Sequence, residues 1–217
     1  MPSATSPSDS ASVDSIVRRY ERTQRILKVS VAAVSVVAVL AAFAALPYLV
    51  ALGLSLGALV ALLLPLSTTS GTLHLQTDAD LETVRRDFEG ETPPILPFQW
   101  GLADTVRSTD DGTDYEISYL FGLRSVTMTV ETRTVSDDPD VDLEIEVAEA
   151  GRPWGTYSVA LEERDGATHV TVSVESNRRF PLNRLPQTIA AVRYQQAAYE
   201  AQGYAVLEYD RSIGPFS

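Results

Sequence analysis

The chain has 217 residues, of which 45% are hydrophobic, and its formal net charge is −12. It contains no cysteine, which excludes disulfides, thiol catalysis and cysteine-ligated zinc. Because so acidic a chain repels phosphate groups at long range, we expect no nucleic-acid partner.

The charges are distributed unevenly. Residues 78–217 hold 12 arginines against 26 acids, and Lys28 is the only lysine in the chain. An acid-rich, lysine-poor composition resembles that of halophile proteins, in which a carboxylate surface maintains solubility in concentrated salt. The alternative explanation is an acidic domain encoded by a GC-rich genome.

The first 28 residues are polar. Residues 1–15 are rich in serine, proline and alanine and offer too little apolar surface to order themselves, so we predict a disordered tail. Residues 16–28 contain five cations and are predicted to form a basic juxtamembrane helix. The positive-inside tendency places such a segment in the cytoplasm.

A charge-free apolar run extends from Val29 to Leu66. As one helix it would be about 57 Å long, nearly twice the thickness of a bilayer's hydrocarbon core. We therefore predict two transmembrane helices, at about 29–46 and 49–66, that turn at Pro47. This hairpin predicts an integral membrane protein with both termini in the cytoplasm. The alternative is a signal peptide cleaved near Ala42-Phe43-Ala44.

Two glycines in the second apolar segment match two different motifs. Gly53-Leu54-Ser55-Leu56-Gly57 fits G-x-S-x-G, but a nucleophile elbow requires a strand-to-helix turn beside a sheet. The same residues fit GxxxG, in which small side chains let membrane helices approach closely. We therefore expect Gly53 and Gly57 to pack the two spans together or to mediate self-association.

Residues 67–217 are predicted to form one cytoplasmic domain. Thr72–Thr77 alternates like a strand, and Asp78–Glu89 is predicted to be a helix capped by Asp78 or Asp80. Apolar alternation then predicts strands linked by tight turns, which indicates an antiparallel meander. The predicted strands are 100–109, 114–121, 124–135, 141–148, 154–164 and 168–176. A helix from Pro186 to Gln202 and a strand at 204–209 complete the chain.

This order of elements resembles the helix-grip fold of the START/Bet v 1-like (SRPBCC) superfamily. The resemblance is carried by Thr72–Glu89, by the hairpin Gly155–Ser176 and by the helix Pro186–Gln202. It implies an α+β fold in which a curved antiparallel sheet surrounds a long C-terminal helix and encloses a cavity for hydrophobic ligands. The candidate lining residues are then Trp100, Phe121, Tyr157 and Tyr194, although aromatic residues also dominate ordinary cores.

Other chemistry-bearing residues give weaker signals. Asp138, Asp140, Asp142 and Glu149 have the spacing of a calcium loop, but Leu143 replaces the required glycine and the alternation predicts a strand. Nothing in the spacing of His74 and His169, the two histidines, brings them together, so we predict no metal and no cofactor. Arg178, Arg179 and Arg184 form a basic patch that fits either a phosphate group or salt bridges with neighbouring acids.

The function predicted from the sequence is a membrane-anchored binding module for a lipid or another hydrophobic molecule. We predict no catalysis, because the chain lacks a paired nucleophile and base and a phosphate-binding glycine loop. The alternative is a structural or protein-interaction membrane protein whose domain has no ligand cavity.

Overall fold

The computed structural model describes residues 7–63, 65–110, 112–119, 123–176, 180–181 and 185–214. Its helices are α1 (Pro7–Ala45), α2 (Tyr48–Leu63), α3 (Leu81–Glu89), α4 (Pro97–Trp100) and α5 (Leu185–Glu200). The first strands are β1 (Pro65–Thr77), β2 (Thr105–Thr109), β3 (Gly112–Tyr119), β4 (Arg124–Thr134) and β5 (Leu143–Glu149). The others are β6 (Arg152–Arg164), β7 (Ala167–Ser176), β8 (Phe180–Pro181) and β9 (Ala205–Gly214).

The first helix differs from its predicted extent. α1 begins at Pro7, within the segment predicted to be disordered, and continues without a break to Ala45. Val13, Val17 and Tyr20 recur at helical spacing and are buried against the domain. The sequence concealed this contact because Val13 lies among serines and acids of the predicted tail, and Val17 and Tyr20 lie among the arginines of the predicted basic helix.

Two helices of unequal length, α1 and α2, contain the apolar run that was predicted to form a hairpin. Among the described residues, one helix, Ser15–Ala45, is long and apolar enough to cross a membrane, and none of its most apolar window is buried inside the protein. The second apolar helix, Tyr48–Ala61, is shorter. β1 begins at Pro65, so the predicted second span at 49–66 runs too far and the first strand starts seven residues before Thr72.

All strands pair antiparallel in one curved sheet, in the order β2-β3-β4-β5-β6-β7-β1, with β9 on the other side of β1 and β8 beside its start. Two-residue turns fix the register. Ala150 and Gly151 join β5 to β6, and Asp165 and Gly166 join β6 to β7, all with positive φ. Such type I′ turns match the twist of the strands that they connect.

The core lies between the concave face of the sheet and the helices. Side chains on one face of successive strands meet in register, as in the row Leu73, Val172, Val159 and Leu143. Asp80 caps α3 by accepting a hydrogen bond from the Thr83 backbone N–H, at 2.9 Å from N to Oδ1. Val84 and Phe88, one turn apart on α3, are fully buried over the sheet.

One predicted strand is wrong at its start. Trp100 ends a short helical turn that Pro97 begins, and strand β2 starts only at Thr105. Proline preorganises φ for the first turn of a helix, which favours this local structure over the predicted strand. The α+β class, the curved antiparallel sheet and the C-terminal helix are confirmed and are consistent with a helix-grip arrangement.

Candidate ligand cavity

A cavity of about 120 Å³ lies between the sheet and α5. Its floor comes from β1, β6, β7 and β9, and its roof from α5 and the segment around α4. The lining residues are Ser70, Gly71, Leu73, Ile95, Gln99, Trp154, Gly155, Tyr157, Val172, Val174, Glu175, Ser176, Gln195, Tyr199 and Tyr209.

The cavity exists where the sheet carries glycine on its concave face. Gly71 faces Val174, which in turn faces Tyr157, so this row presents no side chain on β1. Gly155 occupies the neighbouring position on β6 opposite Ser176. A Cβ at Gly155 would lie 3.1 Å from the carbonyl oxygen of Glu175, so larger residues are disfavoured there. Empty space therefore remains above Val172 and Val174.

Both the roof and the strands supply polar groups to the cavity. Ser70, Glu175 and Ser176 line it from the strands. Gln99 and Gln195 carry amides that both donate and accept hydrogen bonds. The hydroxyl of Tyr209 donates to Oε1 of Gln195 at 3.4 Å. An apolar volume with a few convergent polar groups is the usual composition of a small-molecule site.

The four predicted lining residues have different locations. Tyr157 lines this cavity. Trp100 does not: it packs against the core, and its indole N–H donates to the carbonyl oxygen of Pro93 at 3.1 Å. Tyr194 faces α1 instead, with its hydroxyl oxygen 2.7 Å from Oγ1 of Thr23 and its ring 5.6 Å from that of Tyr20. Phe121 lies outside the described residues.

Sequence reasoning missed three aromatic lining residues, Trp154, Tyr199 and Tyr209. Alternation could not identify Trp154 or Tyr209, because each lies at or just beyond a register shift of its strand. Trp154 is one position out of phase with the buried residues 155, 157 and 159 of β6. Tyr209 is out of phase with Val206 of β9. Tyr199 could be found only from the direction in which α5 faces the sheet.

Buried tyrosines elsewhere in the domain hold structural positions. Burial raises the pKa of the Tyr115 and Tyr204 hydroxyls well above the usual range, so both stay protonated. The Tyr115 hydroxyl donates to the carbonyl oxygen of Glu91 at 2.7 Å and holds the proline-rich loop to β3. Desolvation also raises the pKa of Asp87 on α3. None of these groups lines the cavity.

The remaining sequence motifs find no site in the described part of the chain. No group of three or more histidine, aspartate or glutamate residues there is arranged to hold a metal ion. His74 and His169 lie on adjacent strands, two residues apart in register, and His74 Nδ1 is 3.1 Å from the Thr171 hydroxyl. Asp142 of the calcium-loop spacing is engaged by Arg85 at 2.8 Å.

The two glycines of the α2 motif do not pack against α1. Gly53 and Gly57 lie within a continuous helix, which rules out a strand-to-helix elbow, and a Cβ at either position would meet nothing within 4 Å. Instead, α1 and α2 diverge around an apolar groove of about 640 Å³ that Val34, Ala38, Leu54 and Ala58 help to line. The expectation that these glycines pack the two spans together is therefore wrong.

No family model matches the chain, and no curated protein matches its sequence significantly. It is similar to solved structures at low identity. A conserved protein from Geobacillus kaustophilus is 9% identical with a TM-score of 0.42, covering 61% of this chain and 94% of that one. A protein from Arthrobacter aurescens is 18% identical with a TM-score of 0.39, covering 61% and 80%. The Bet v 1-like Ara h 8.0201 is 13% identical with a TM-score of 0.38, covering 61% and 97%.

Proposed function

We propose that the protein is a membrane-anchored, non-enzymatic binding module that holds a small apolar molecule between its sheet and α5. The cavity of about 120 Å³ is the observation that carries this proposal. Its floor is apolar apart from Ser70, Glu175 and Ser176, and its roof carries two amides. This lining suits a ligand with a compact apolar body and a polar edge.

The size of the cavity narrows the class of ligand. Drug-sized ligands occupy cavities of about 300–1,000 Å³, whereas an engineered cavity of about 150 Å³ takes benzene. A single ring or a short branched chain matches the available volume, and an intact lipid does not. The proposed ligand is therefore an apolar molecule smaller than the lipid that the sequence led us to expect.

Native mass spectrometry of the full chain, released from detergent micelles, tests this function. We expect a bound small molecule on the wild-type protein and its loss in Val174→Phe, which fills the cavity from its floor. Val106→Phe is the matched control, because Val106 is 37% exposed on β2 and lines no part of the cavity. Equal ligand retention in both variants, or none in the wild type, would contradict the proposal.

We also propose that α1 beyond Val29 and α2 form an integral membrane hairpin with both termini in the cytoplasm. The exposure of the apolar window supports this, because the core helix of a soluble protein would be buried. Arg18, Arg19 and Arg22 are exposed on the preceding turns, where cytoplasmic cations are favoured. Tyr48, 67% exposed at the helix turn, suits the opposite interface.

The absence of native cysteine makes this topology directly testable. In intact cells, a membrane-impermeant maleimide should label Tyr48→Cys and leave Glu162→Cys unlabelled until the cells are lysed. Labelling of Glu162→Cys from outside would overturn the cytoplasmic location. Failure of both sites in intact cells would indicate a hairpin that does not reach the outer surface.

A structural or protein-interaction role is the second candidate. The modest volume of the cavity favours it over binding of any large ligand. It predicts that Val174→Phe stabilises the domain by filling unused space and alters no binding, because overpacking is costly only where no space exists.

A further inference from the structure

We propose that the domain stands on the bilayer with the cavity end of its sheet toward the lipid headgroups. The cavity end is defined here by Ser70, Gly155, Glu175 and Ser176. This orientation would give a molecule dissolved in the bilayer a short route to the cavity. The inference rests on the proposed membrane hairpin and deepens the proposed binding function.

The first argument is the direction of the strands. β1 follows α2 with one residue between them, and Ser70 comes five residues after Pro65, which is about 17 Å along a strand. In register, Ser70 faces Glu175, and Ser176 faces Gly155. Ser70, Gly155, Glu175 and Ser176 therefore lie on the side of the cavity nearest the hairpin, whereas Leu73 and Val172 lie farther along their strands.

A second attachment fixes the same orientation from the other side of the domain. The ring of Tyr20 on α1 lies 4.5 Å from the ring of Phe98 on α4, and the Thr23 hydroxyl is bonded to Tyr194 on α5. Val29 follows Thr23 by six residues, or about 9 Å of helix. With α1 packed on the helices and β1 joined to α2, the domain is held at two separate elements and is not free to rotate on a single linker.

The third argument is the distribution of charged residues along β6 and β7. Their far end carries three acids, Glu162, Glu163 and Asp165, and one cation, Arg164, which pairs with Glu162. At the near end β6 begins with Arg152. The predicted basic patch of Arg178, Arg179 and Arg184 lies outside the described residues. Cations beside an anionic leaflet are favourable and acids are not, so the gradient favours the proposed orientation despite one exposed acid, Glu175, at the near end.

The test compares two label sites on adjacent strands, in the full chain reconstituted into nanodiscs that contain phosphatidylglycerol. Bimane is attached to Glu175→Cys or to Glu162→Cys, both exposed positions on the same face of the sheet. Through the register, Glu162 is level with Gln76, six residues beyond Ser70, and lies about 20 Å farther from the hairpin. Lipid carrying a nitroxide on its headgroup is the quencher.

We expect several-fold stronger quenching at Glu175→Cys than at Glu162→Cys. Equal quenching at the two sites would overturn the orientation, as would stronger quenching at Glu162→Cys. Labelling both variants in detergent without the nitroxide lipid gives the unquenched reference and checks that each has folded, because both should retain the thermal transition of the unlabelled chain.

A separate readout distinguishes failure of this inference from failure of the binding function. Trp154 lines the cavity, so in a Trp100→Phe background, quenching of its fluorescence by 4-bromophenol reports occupancy. Saturable quenching by 4-bromophenol combined with equal bimane quenching would reject the orientation and keep the binding function. Unsaturable quenching by 4-bromophenol combined with stronger bimane quenching at Glu175→Cys would reject the binding function and keep the orientation.

Discussion

At the scale of single residues, Asp142, which immediately precedes β5, joins α3 to β6. Its Oδ1 accepts from Arg85 of α3 and its Oδ2 from the backbone N–H of Leu161 of β6, each at 2.8 Å. Asp142→Ala leaves a partly buried N–H and a guanidinium without these partners, so we expect a loss of about 2 kcal/mol of unfolding free energy. Chemical denaturation measures it, with exposed Asp140→Ala as the control. A loss no larger than that of the control would contradict this account.

Asp80 gives a prediction about pH. Hydrogen bonds from the backbone N–H and the hydroxyl of Thr83 lower the pKa of its carboxyl below the value in the unfolded chain. A depressed folded-state pKa stabilises the protein above the unfolded pKa, near 4, and the stabilisation is lost as pH falls through the folded pKa.

The stability difference between wild type and Asp80→Ala should therefore be largest at neutral pH and shrink below about pH 4. Thermal unfolding as a function of pH measures this, with Asp78→Ala as the control, since Asp78 does not cap the helix. A difference that stays constant into acid would show that the cap does not depend on the charge of Asp80.

At the scale of elements, the docking of α1 on α4 and α5 is testable through Tyr20. Its ring contacts both Phe98 and Tyr194. Tyr20→Ala should cost about 3 kcal/mol and increase hydrogen exchange in α5 at residues 192–200, because α1 then leaves its outer face uncovered. Arg18→Ala, on the exposed side of α1, should change neither quantity. Unchanged exchange in Tyr20→Ala would contradict the docking.

The GxxxG face of α2 remains available for self-association. Because a Cβ at Gly53 or Gly57 would meet nothing within the chain, leucine at both positions should leave the fold intact. Close packing of two copies through this face would be blocked. Energy transfer between donor- and acceptor-labelled copies in proteoliposomes should fall, whereas Leu52→Ile should preserve it. Unchanged transfer in the glycine variant would exclude this contact.

The elements were predictable to different degrees for identifiable reasons. Strands β3 to β7 follow from period-2 alternation, and the turn at Asp165-Gly166 follows from residues that tolerate positive φ. The start of β2 was missed because Pro97 organises a helical turn through a local preference that outweighs the apolar pattern. The tail of α1 was missed because its helix is stabilised by packing, which no local pattern encodes.

At the scale of the whole molecule, the family resemblance implied a cavity between sheet and helix, whereas three aromatic residues that line it were not predicted. Tyr157 was predictable because strand register places it on the concave face. Tyr194 and Tyr199 lie on the same helix, yet one faces α1 and the other the cavity. Predicting which of the two tyrosines lines the cavity requires the rotation of α5 about its own axis. That rotation depends on packing against α1 and Phe98, which are far from α5 in the sequence. Long-range packing therefore decides the site.

The most direct test of the central claim is titration of the Trp100→Phe protein in nanodiscs with 4-bromophenol, read by the fluorescence of Trp154. If the cavity binds a single-ring ligand, quenching will saturate, and adding Val174→Phe will abolish the saturable part. The same added substitution at Val106 will leave it unchanged. Linear, unsaturable quenching that is identical with and without Val174→Phe would contradict the claim that this domain is a binding module.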